Sequence, residues 1–569
     1  MILNHINDIA AVCAGHSIQT AVISPGSRSA PLTLAFNGHP SIDVKVIADE
    51  RSAAFIALGI AQQQKKPVVL ICTSGSAVYN YAPAVAEAYY QEIPLLILSA
   101  DRPPEWTNQY DGQTIQQSGI FGKHVKASHN FPVEVNHKDT AWHANRLINE
   151  SIITAESSPK GPVHINVPLR EPFYPSTDEE ISFDSPRVIS ATSVEQKLSN
   201  TDWEELSKDW NSTSKRLLVI GQLEPNENLT EVINEFVSQT NTLIVNDIIG
   251  NQHQVDGAIQ CQDAFLQPKA IKELIDLSPD LLITTGKSLI SKNLKLFLRE
   301  NPPKIHWHIH PSSQVNDSLQ HLTKWIPVQP NYFFSELTQR SETSASTGFN
   351  KKWVDLNQKA KHKASSFLDS CSFGEFQAVN TCLKTLPSKS QLHLANSMSV
   401  RYANLLGLSK DVEVFANRGT SGIDGSNGTA VGSALTQDKI VTLLTGDMAF
   451  LYDRNAFWHT YDLSNLRIIV LNNHGGGIFR MINGPQQQPD YEKLFETHQS
   501  LTAENTVKDY GFEYKSCSDM KGLDELLTTF FHKGNTAKVL EIFSDSKRNA
   551  QIFNDFKAEI QLYLSFSGR

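Results

Sequence analysis

The sequence has few cysteines, and those it has stand far apart. Six are spread over 569 residues, and no two lie closer than eleven positions. This spacing excludes a CxxC metal or redox motif and a dense disulfide framework, and it is typical of proteins kept in a reducing compartment. We therefore expect a cytoplasmic protein.

Long apolar segments and a basic surface are also missing. No stretch approaches the roughly 18 consecutive apolar residues of a membrane helix, and the N-terminal segment lacks the pattern of a signal peptide. Lysine and arginine number 50 against 60 aspartates and glutamates, which gives a net charge of −10. A chain without a basic excess is poorly suited to phosphate backbones, so neither a membrane nor a nucleic acid is an expected partner.

The sequence does contain a repeated alternation of short apolar runs and longer helical stretches. Most runs are apolar along their whole length, which indicates strands of parallel sheets that are covered by helices on both faces. The runs form three blocks: 21–24, 43–48, 67–73, 94–100 and 162–167; then 216–221, 242–247, 280–286 and 304–310; then 412–417, 439–447, 466–473 and 537–543.

Two polar stretches separate these blocks. The stretch between residues 175 and 200 is the one that we assign as a linker, and the other lies near residues 340–365. We therefore predict an α/β protein with three doubly wound parallel-sheet domains, over residues 1–178, 190–345 and 370–569.

Polar residues follow two neighbouring strands of the third block, at the point where each strand ends. Asp447 follows one run, and Asn473, 26 positions later, follows the next and precedes the glycines at 475–477. Because the carboxyl ends of parallel strands meet at one edge of a sheet, the two side chains should lie side by side. Their oxygens and a backbone carbonyl suit Mg²⁺, and the glycines let the backbone approach a diphosphate. Two ordinary strand-end turns are the alternative.

A Gly-Asp pair followed after about 26 residues by Asn-Asn resembles the fingerprint of thiamine-diphosphate-dependent enzymes. The resemblance implies thiamine diphosphate with Mg²⁺, or Mn²⁺ in its place, as cofactors. It makes Asp447, Asn473 and the Gly475 carbonyl the metal ligands, and it puts Gly446, Met448 and Ala449 at the cofactor. Met448 stands where many members have glycine, which argues for a subgroup.

The first block supplies the acid that such an enzyme needs. Glu50 follows the run at 43–48 and precedes a helical stretch, while segments 72–103 and 161–168 resemble the rest of a pyrimidine-binding domain. The resemblance therefore gives Glu50 the role of bonding N1′ of the aminopyrimidine, which favours the tautomer that removes the proton from the thiazolium C2 carbon. The alternative is a first-turn charge that the helix dipole stabilises.

Four arginines follow predicted strands: Arg28, Arg102, Arg401 and Arg418. Guanidinium groups bind carboxylates through two parallel hydrogen bonds, so several of them at one site indicate highly anionic substrates. Any one of them could instead form a surface or interdomain ion pair.

The segments at 24–32, 49–59, 100–105, 112–122, 395–401, 417–425 and 446–453 closely resemble the thiamine-diphosphate synthases of menaquinone biosynthesis, which join 2-oxoglutarate to isochorismate with loss of CO₂. The likeness covers both cofactor-binding blocks and is thin through the central one. It implies that Arg401 and Arg418 hold the carboxylates of 2-oxoglutarate and its adduct, with Ser397 nearby. The residues implied to face isochorismate are Ser27, Arg28, Arg102, Gln113 and Lys287. Ile423 would support the bent thiamine, and Ile478 and Phe479 would lie beside its reactive carbon.

Two other functions stay open at this point, a carboligase of acetolactate-synthase type and a catalytically silent cofactor-binding paralogue. Because Glu50 and Asp447 stand about 400 residues apart on domains of like architecture, and because such domains meet across subunits in this superfamily, we expect a homodimer or a dimer of dimers with active sites between subunits. His306, His308 and His310 alternate along one predicted strand, which favours a packed interdomain or subunit surface over a metal site.

Overall fold

A computed structural model of the chain describes residues 3–175, 181–183, 185–267, 271–312, 314–342, 348–408, 411–482 and 484–566. Its strands form three sheets in which every pairing is parallel. We call each sheet with its flanking helices a unit. This architecture confirms the predicted α/β class with three doubly wound parallel sheets, while the predicted domain boundaries stay predictions.

The strands are short, and the central ones are fully buried. They are β1 (Thr20–Ile23), β2 (Asp43–Val46), β3 (Val68–Cys72), β4 (Leu95–Asp101), β5 (Ala127–Asn130) and β6 (Val163–Pro168) in the first unit; β7 (Arg216–Ile220), β8 (Leu243–Asn246), β9 (Leu281–Thr285), β10 (Ile305–Ile309) and β11 (Lys324–Ile326) in the second; and β12 (Ser390–Leu394), β13 (Val412–Phe415), β14 (Val441–Gly446), β15 (Leu466–Asn472), β16 (Glu513–Cys517) and β17 (Lys538–Phe543) in the third.

The order of strands in each sheet contains the reversal that is typical of doubly wound folds. The orders are β2-β1-β3-β4-β6-β5 in the first sheet, β11-β10-β9-β7-β8 in the second and β13-β12-β14-β15-β17-β16 in the third.

Helices cover the faces of these sheets. They are α1 (Asn4–Gly15), α2 (Ala30–Gly38), α3 (Glu50–Gln64), α4 (Ser76–Asn80), α5 (Ala82–Gln91), α6 (Lys138–Glu156), α7 (Asn200–Asn211), α8 (Glu227–Thr240), α9 (Gln262–Phe265), α10 (Lys292–Glu300), α11 (Pro330–Arg340), α12 (Gly348–Ser370), α13 (Glu375–Thr385), α14 (Met398–Leu406), α15 (Ser426–Ala434), α16 (Asp447–Tyr452), α17 (Glu504–Asp509), α18 (Met520–Phe530) and α19 (Ser546–Phe566). Among the described helices, none combines the length and the apolar character of a membrane-spanning segment.

Helices α3 and α15 join the first and third units through a very close contact. A Cβ atom added at Gly59 would lie 2.2 Å from the Thr429 carbonyl oxygen, and one added at Gly432 would lie 2.1 Å from the Ile56 carbonyl oxygen. Glycine at both positions therefore lets the two backbones touch. α3 begins at Glu50 and α15 follows the loop that carries Arg418, so this contact joins two helices that adjoin predicted site residues.

Three edge strands were not predicted, and the buried inner strand β12 was indicated only by the residues that follow it, because Ser390, Gln391 and His393 interrupt its apolar pattern. β5, β11 and β16 each lie at the end of a sheet, and their side chains alternate or are largely exposed. We predicted strands from continuous apolar runs. A strand that has one neighbour and one solvated face can contain polar residues, so it lacks such a run. β2, a fourth edge strand, was found by its apolar residues but is half exposed rather than covered on both faces.

Asp453 is a fully buried carboxyl group at the end of α16 and gives a test of the fold. Burial raises the pKa of Asp453 to about 7, although its Oδ2 accepts a hydrogen bond from the Gly428 N–H at 2.9 Å. The pKa of an aspartate in an unfolded chain is about 4. Between about pH 4 and pH 7 the folded chain therefore keeps a proton that the unfolded chain releases. Stability should therefore fall as pH rises through this window.

The Asp453→Asn variant should show a shallower fall of the thermal midpoint between about pH 5 and pH 7 than the parent chain, as measured by circular dichroism. Asp524→Asn, which changes an exposed aspartate, serves as the control and should leave the slope unaltered. Parallel slopes for Asp453→Asn and the parent would contradict the assigned pKa.

Candidate active site

The carboxyl edge of the third sheet carries most of the predicted catalytic residues. Arg418 follows β13, Ser397 and Arg401 follow β12, Asp447 follows β14 and Asn473 follows β15. These four strands are consecutive neighbours in the order β13-β12-β14-β15, and all are parallel. The fold thus brings the predicted substrate arginines and the predicted metal ligands into one row at one edge.

Asp447 and Asn473 lie side by side because Gly446 of β14 pairs with Leu471 of β15. The Asp447 side chain is buried and accepts a hydrogen bond from Gln499 Nε2 at 2.6 Å. Burial raises the pKa of Asp447 to about 6, against the hydrogen bonds from Gln499 and from the Gly475 backbone. Among the described residues no basic side chain bonds this carboxylate, and such a buried carboxylate is a natural ligand for a cation.

The Asn473 amide is oriented by a buried glutamate. Its Nδ2 donates to Glu375 Oε1 at 2.5 Å, so its Oδ1 points the other way. That Oδ1 is buried and has no hydrogen-bond partner among the described residues. Burial raises the pKa of Glu375 to about 7, and the charge of nearby Asp447 acts in the same direction.

These observations fit a hard divalent cation. An orphaned buried amide oxygen stands beside a buried carboxylate, and both are ligands that Mg²⁺ accepts. The Gly475 carbonyl accepts one hydrogen bond, from the Gly477 N–H at 3.0 Å, and keeps a second lone pair for a metal. The residues at this edge therefore suit the metal site that the sequence predicts.

The loops at this edge hold unusual backbone conformations. Ser397 has φ 75° and ψ −129°, and His474 has φ 63°, although neither is glycine. Such conformations cost about 1–3 kcal/mol each and persist where the surroundings fix them. Bonds from Gly476 N–H to the Glu496 carbonyl at 2.7 Å and from Gln499 N–H to the His474 carbonyl at 2.9 Å hold the 474–477 loop in place.

Arg401 and Arg418 form a cationic pair. Arg401 donates to the Ser397 carbonyl at 2.6 Å, and Arg418 donates to Asn396 Oδ1 at 2.7 Å. Burial and the charge of Arg401 lower the pKa of Arg418. The Arg418 Nε is buried without a partner among the described residues, so this pair has donor capacity left for an anion.

A second group of predicted residues lies at the carboxyl edge of the first sheet. Arg28 donates to the Leu169 carbonyl at 3.0 Å and lies 4.4 Å from the ring centre of Phe173. Burial and the charge of Arg102 lower the pKa of Arg28, which places these two guanidinium groups near each other. Arg102 pairs with Asp111 at 2.9 Å.

Ser27 and Gln113 belong to the same edge. The Ser27 hydroxyl lies 3.4 Å from the Tyr174 hydroxyl. Gln113 is exposed with φ 54°, and its carbonyl accepts a hydrogen bond from Ser74 at 2.8 Å. The four predicted isochorismate residues of the first unit are thus gathered on adjacent loops.

Lys287 lies apart from them, on a cavity of about 650 Å³ that Arg418 also lines. Its Nζ donates to the Gln91 carbonyl at 2.6 Å, so it bridges the second unit to the first. Residues His306, His308 and His310 line the same cavity from one face of β10.

The three histidines hydrogen-bond to polar side chains of two units. His306 and His308 bond the Thr284 hydroxyl at 3.0 Å and 2.9 Å, and His310 bonds Glu92 of the first unit at 2.9 Å. Within the described part of the chain, no group of three or more His, Cys, Asp or Glu residues could hold a metal ion.

Glu50 is the first residue of α3 and is half buried. The preceding Asp49 caps the helix by accepting from the Ser52 N–H at 3.0 Å, and it also accepts from Asn455 at 2.8 Å. Among the described residues of a single chain, nothing bonds the Glu50 carboxylate to Asp447 or Asn473.

The remaining predicted residues surround the third-sheet edge. Met448 and Ala449 follow Asp447 on α16, and Gly446 ends β14. Ile423 is 40% exposed on the loop before α15. Ile478 and Phe479 lie in a short turn at Gly477–Arg480, where the Phe479 ring is 6.1 Å from that of Phe495.

Sequence reasoning missed the polar residues that support these groups. Glu375 stands 98 positions before Asn473, and Gln499 stands 52 positions after Asp447. Neither belongs to a recognisable motif, and only the folded chain brings them to the site.

Two family models of known proteins match the chain. Residues 4–120 match the family described as thiamine pyrophosphate enzyme, N-terminal TPP binding domain, and residues 184–394 match the middle domain of thiamine pyrophosphate enzymes. The fold and the site therefore define a thiamine diphosphate enzyme.

The chain is also similar over its length to curated synthases. It is 47% identical to the 2-succinyl-5-enolpyruvyl-6-hydroxy-3-cyclohexene-1-carboxylate synthase of Cytophaga hutchinsonii, over 98% of this chain and 100% of the relative. Identity is 38% with that of Flavobacterium johnsoniae, over 97% and 98%, and 34% with that of Bacteroides fragilis, over 98% and 99%. The chain belongs to the 2-succinyl-5-enolpyruvyl-6-hydroxy-3-cyclohexene-1-carboxylate synthase family, which confirms the predicted family and thiamine-dependent carboligation.

A solved structure supports the fold independently. The benzoylformate decarboxylase of Polynucleobacter necessarius superposes with a TM-score of 0.69 over 95% of this chain and 98% of that chain, at 15% identity. At this identity the likeness concerns the fold alone.

Proposed function

We propose that the chain decarboxylates 2-oxoglutarate and adds the remaining four-carbon unit to isochorismate, forming 2-succinyl-5-enolpyruvyl-6-hydroxy-3-cyclohexene-1-carboxylate in menaquinone biosynthesis. The observation that carries this proposal is the row of Arg418, Arg401, Asp447 and Asn473 along one sheet edge. A dicarboxylate needs cationic groups on one side of the reacting carbon and a metal-held cofactor on the other, and this edge offers both.

The cofactors follow from the same edge. When bound, thiamine diphosphate supplies a nucleophilic carbon and accepts the electrons released with CO₂. Mg²⁺, or Mn²⁺ in its place, would be held by Asp447, the orphaned Asn473 Oδ1 and the Gly475 carbonyl, and it would anchor the diphosphate. Gly446, Met448 and Ala449 would lie against the diphosphate, and Ile423 and Ile478 would pack on the thiamine.

Protein groups mainly position and neutralise the substrates. Arg401 and Arg418 would hold the carboxylates of 2-oxoglutarate and its adduct, with Ser397 beside them and Phe479 walling the reacting carbon. Ser27, Arg28, Arg102, Gln113 and Lys287 would bind isochorismate. In a site closed to water, each correctly placed cation contributes about 2–4 kcal/mol to the transition state.

We propose further that active sites form between subunits of a homodimer or a dimer of dimers. Glu50 would hold a proton at N1′ of the aminopyrimidine bound by the partner subunit. In support, Glu50 is half buried at a strand-to-helix junction, and Ile423 presents an apolar side chain that is 40% exposed. All six cysteines lie among the described residues and none forms a disulfide, which supports a cytoplasmic location.

The activity can be tested with purified protein. Incubation with 2-oxoglutarate, isochorismate, thiamine diphosphate and Mg²⁺ should release CO₂ and form the product, and omission of either cofactor after chelation should stop both. Pyruvate in place of 2-oxoglutarate should release CO₂ at least about tenfold more slowly, because it lacks the distal carboxylate that the arginines would bind. Preference for pyruvate would contradict the proposal and favour an acetolactate-type enzyme.

A further inference from the structure

A buried glutamate of the first unit accepts hydrogen bonds from the loop that carries Arg418. Glu87 lies on α5 and is 1% exposed. Its Oε1 accepts from the Gly419 N–H at 2.7 Å, and its Oε2 accepts from the Thr420 N–H and from the Thr420 hydroxyl, both at 2.6 Å. Three donors from the two residues after Arg418 thus converge on one carboxylate.

The contact leaves little room for the loop to shift. A Cβ atom added at Gly419 would lie 2.8 Å from the Glu87 carbonyl oxygen and 3.2 Å from its Cδ. On the other side of the loop, Asn396 Nδ2 donates to the Asn417 carbonyl at 2.7 Å and to the Gly422 carbonyl at 2.6 Å. The segment from 417 to 422 is therefore held between Glu87 and Asn396.

Glu87 itself is fixed by a polar junction of all three units. Gln91, one turn later on α5, donates to Glu87 Oε1 at 2.6 Å. Gln222 of the second unit donates to Gln91 Oε1 at 2.9 Å and to the Ala416 carbonyl of the third unit at 3.0 Å. Hydrogen bonds from the first and second units, as well as the end of β13, therefore fix the position of the Arg418 loop.

The charge of Glu87 bears on Arg418 as well. Burial and the Arg401 charge lower the pKa of Arg418, and the charges of Asp247 and Glu87 act in the opposite direction. Removing a carboxylate from water costs several kcal/mol. If this position only had to fill space, an apolar side chain of similar volume would stabilise the fold more. Its hydrogen bonds instead give the loop one defined position.

We propose that Glu87 is a positioning residue that sets Arg418 for the carboxylate of the 2-oxo acid. The inference rests on the proposed role of Arg418. Glu87 touches no reacting atom, and it acts through the backbone of Gly419 and Thr420. It should therefore affect the KM for 2-oxoglutarate far more than the KM for isochorismate or the affinity for thiamine diphosphate.

A double-mutant cycle tests this coupling in the full-length protein loaded with cofactor and Mg²⁺. Glu87→Gln keeps the side-chain volume but offers one acceptor oxygen in place of two, and it should raise the KM for 2-oxoglutarate about tenfold. Arg418→Ala should raise it more. In the Arg418→Ala background, Glu87→Gln should change kcat/KM by less than about twofold, because Glu87 would have nothing left to position.

Two further variants keep the test interpretable. Thr420→Val removes one donor from the loop side and should raise the same KM a few-fold even where Glu87→Gln folds poorly. Glu156→Gln makes the same exchange at a surface ion pair with Lys66 and should leave every kinetic constant unaltered.

The outcomes separate this inference from the proposed function. If Glu87→Gln lowered kcat/KM equally in the parent and in the Arg418→Ala background, the positioning role would be overturned while the role of Arg418 stands. An unchanged KM for 2-oxoglutarate in both Glu87→Gln and Thr420→Val would have the same consequence. A normal KM in Arg418→Ala would overturn the proposed role of Arg418 and this inference with it. Weakened cofactor affinity in parallel with KM would show a general structural role and also overturn the inference.

Discussion

Replacing Glu50 by glutamine should lower kcat by on the order of 10³-fold while Mg²⁺ and thiamine diphosphate still bind. Glutamine keeps the length of the side chain and its ability to form a hydrogen bond. It cannot share a proton with N1′ of the aminopyrimidine, which is the role proposed for Glu50. Because Glu50 makes no described contact with the predicted metal ligands, cofactor affinity should change little.

The measurement combines turnover with 2-oxoglutarate and isochorismate and a binding titration of thiamine diphosphate by tryptophan fluorescence. Asp49→Asn is the matched control, since it removes one negative charge from the same helix terminus but keeps an acceptor for the Ser52 N–H. If Glu50 were only a charge that the α3 dipole stabilises, the two variants would behave alike. Near-normal kcat in Glu50→Gln would reject the assigned role.

The parts of the fold that could be predicted are those set by local patterns. The largely apolar runs 67–73 and 466–473 contain the buried strands β3 and β15, because a strand covered on both faces is mostly apolar. Parallel pairing then places their carboxyl ends together. That rule alone put Asp447 beside Asn473, as the structure has them.

The parts that could not be predicted depend on contacts between distant segments. Glu375 orients Asn473 from a helix that begins almost one hundred positions earlier, and Glu87 holds a loop more than three hundred positions away. Each is an ordinary glutamate within a helical stretch, where the expected role is a solvated charge. Only the folded chain shows that both side chains are 1% exposed and bonded to these distant segments.

Loss of the Asp447 carboxylate should lower activity about as much as Glu50→Gln does, but by weakening cofactor binding. Asp447→Ala removes the only charged group among the proposed metal ligands, and removal of one partner of a buried charge pair costs about 3–5 kcal/mol. Affinity for Mg²⁺ and with it for thiamine diphosphate should fall by roughly 10²–10⁴-fold. Isothermal titration with each cofactor measures this directly, without reference to turnover.

Asp453→Asn is the control for this variant, because Asp453 is also buried and directly follows α16, but its side chain bonds Gly428. It should keep cofactor affinity within about twofold although it alters the pH dependence of stability. Full cofactor affinity in Asp447→Ala would contradict the proposed metal site.

The two inactive variants together decide where the active site forms. If Glu50 of one subunit serves the metal site of its partner, a dimer of one Glu50→Gln chain and one Asp447→Ala chain contains one site with both changes and one with neither. Random mixing of the chains should then restore about a quarter of the parent activity. If each chain builds its own site, every site carries one of the two changes and the mixture stays inactive. Restored activity therefore requires that the carboxyl group of the first unit and the metal-binding edge of the third come from different chains.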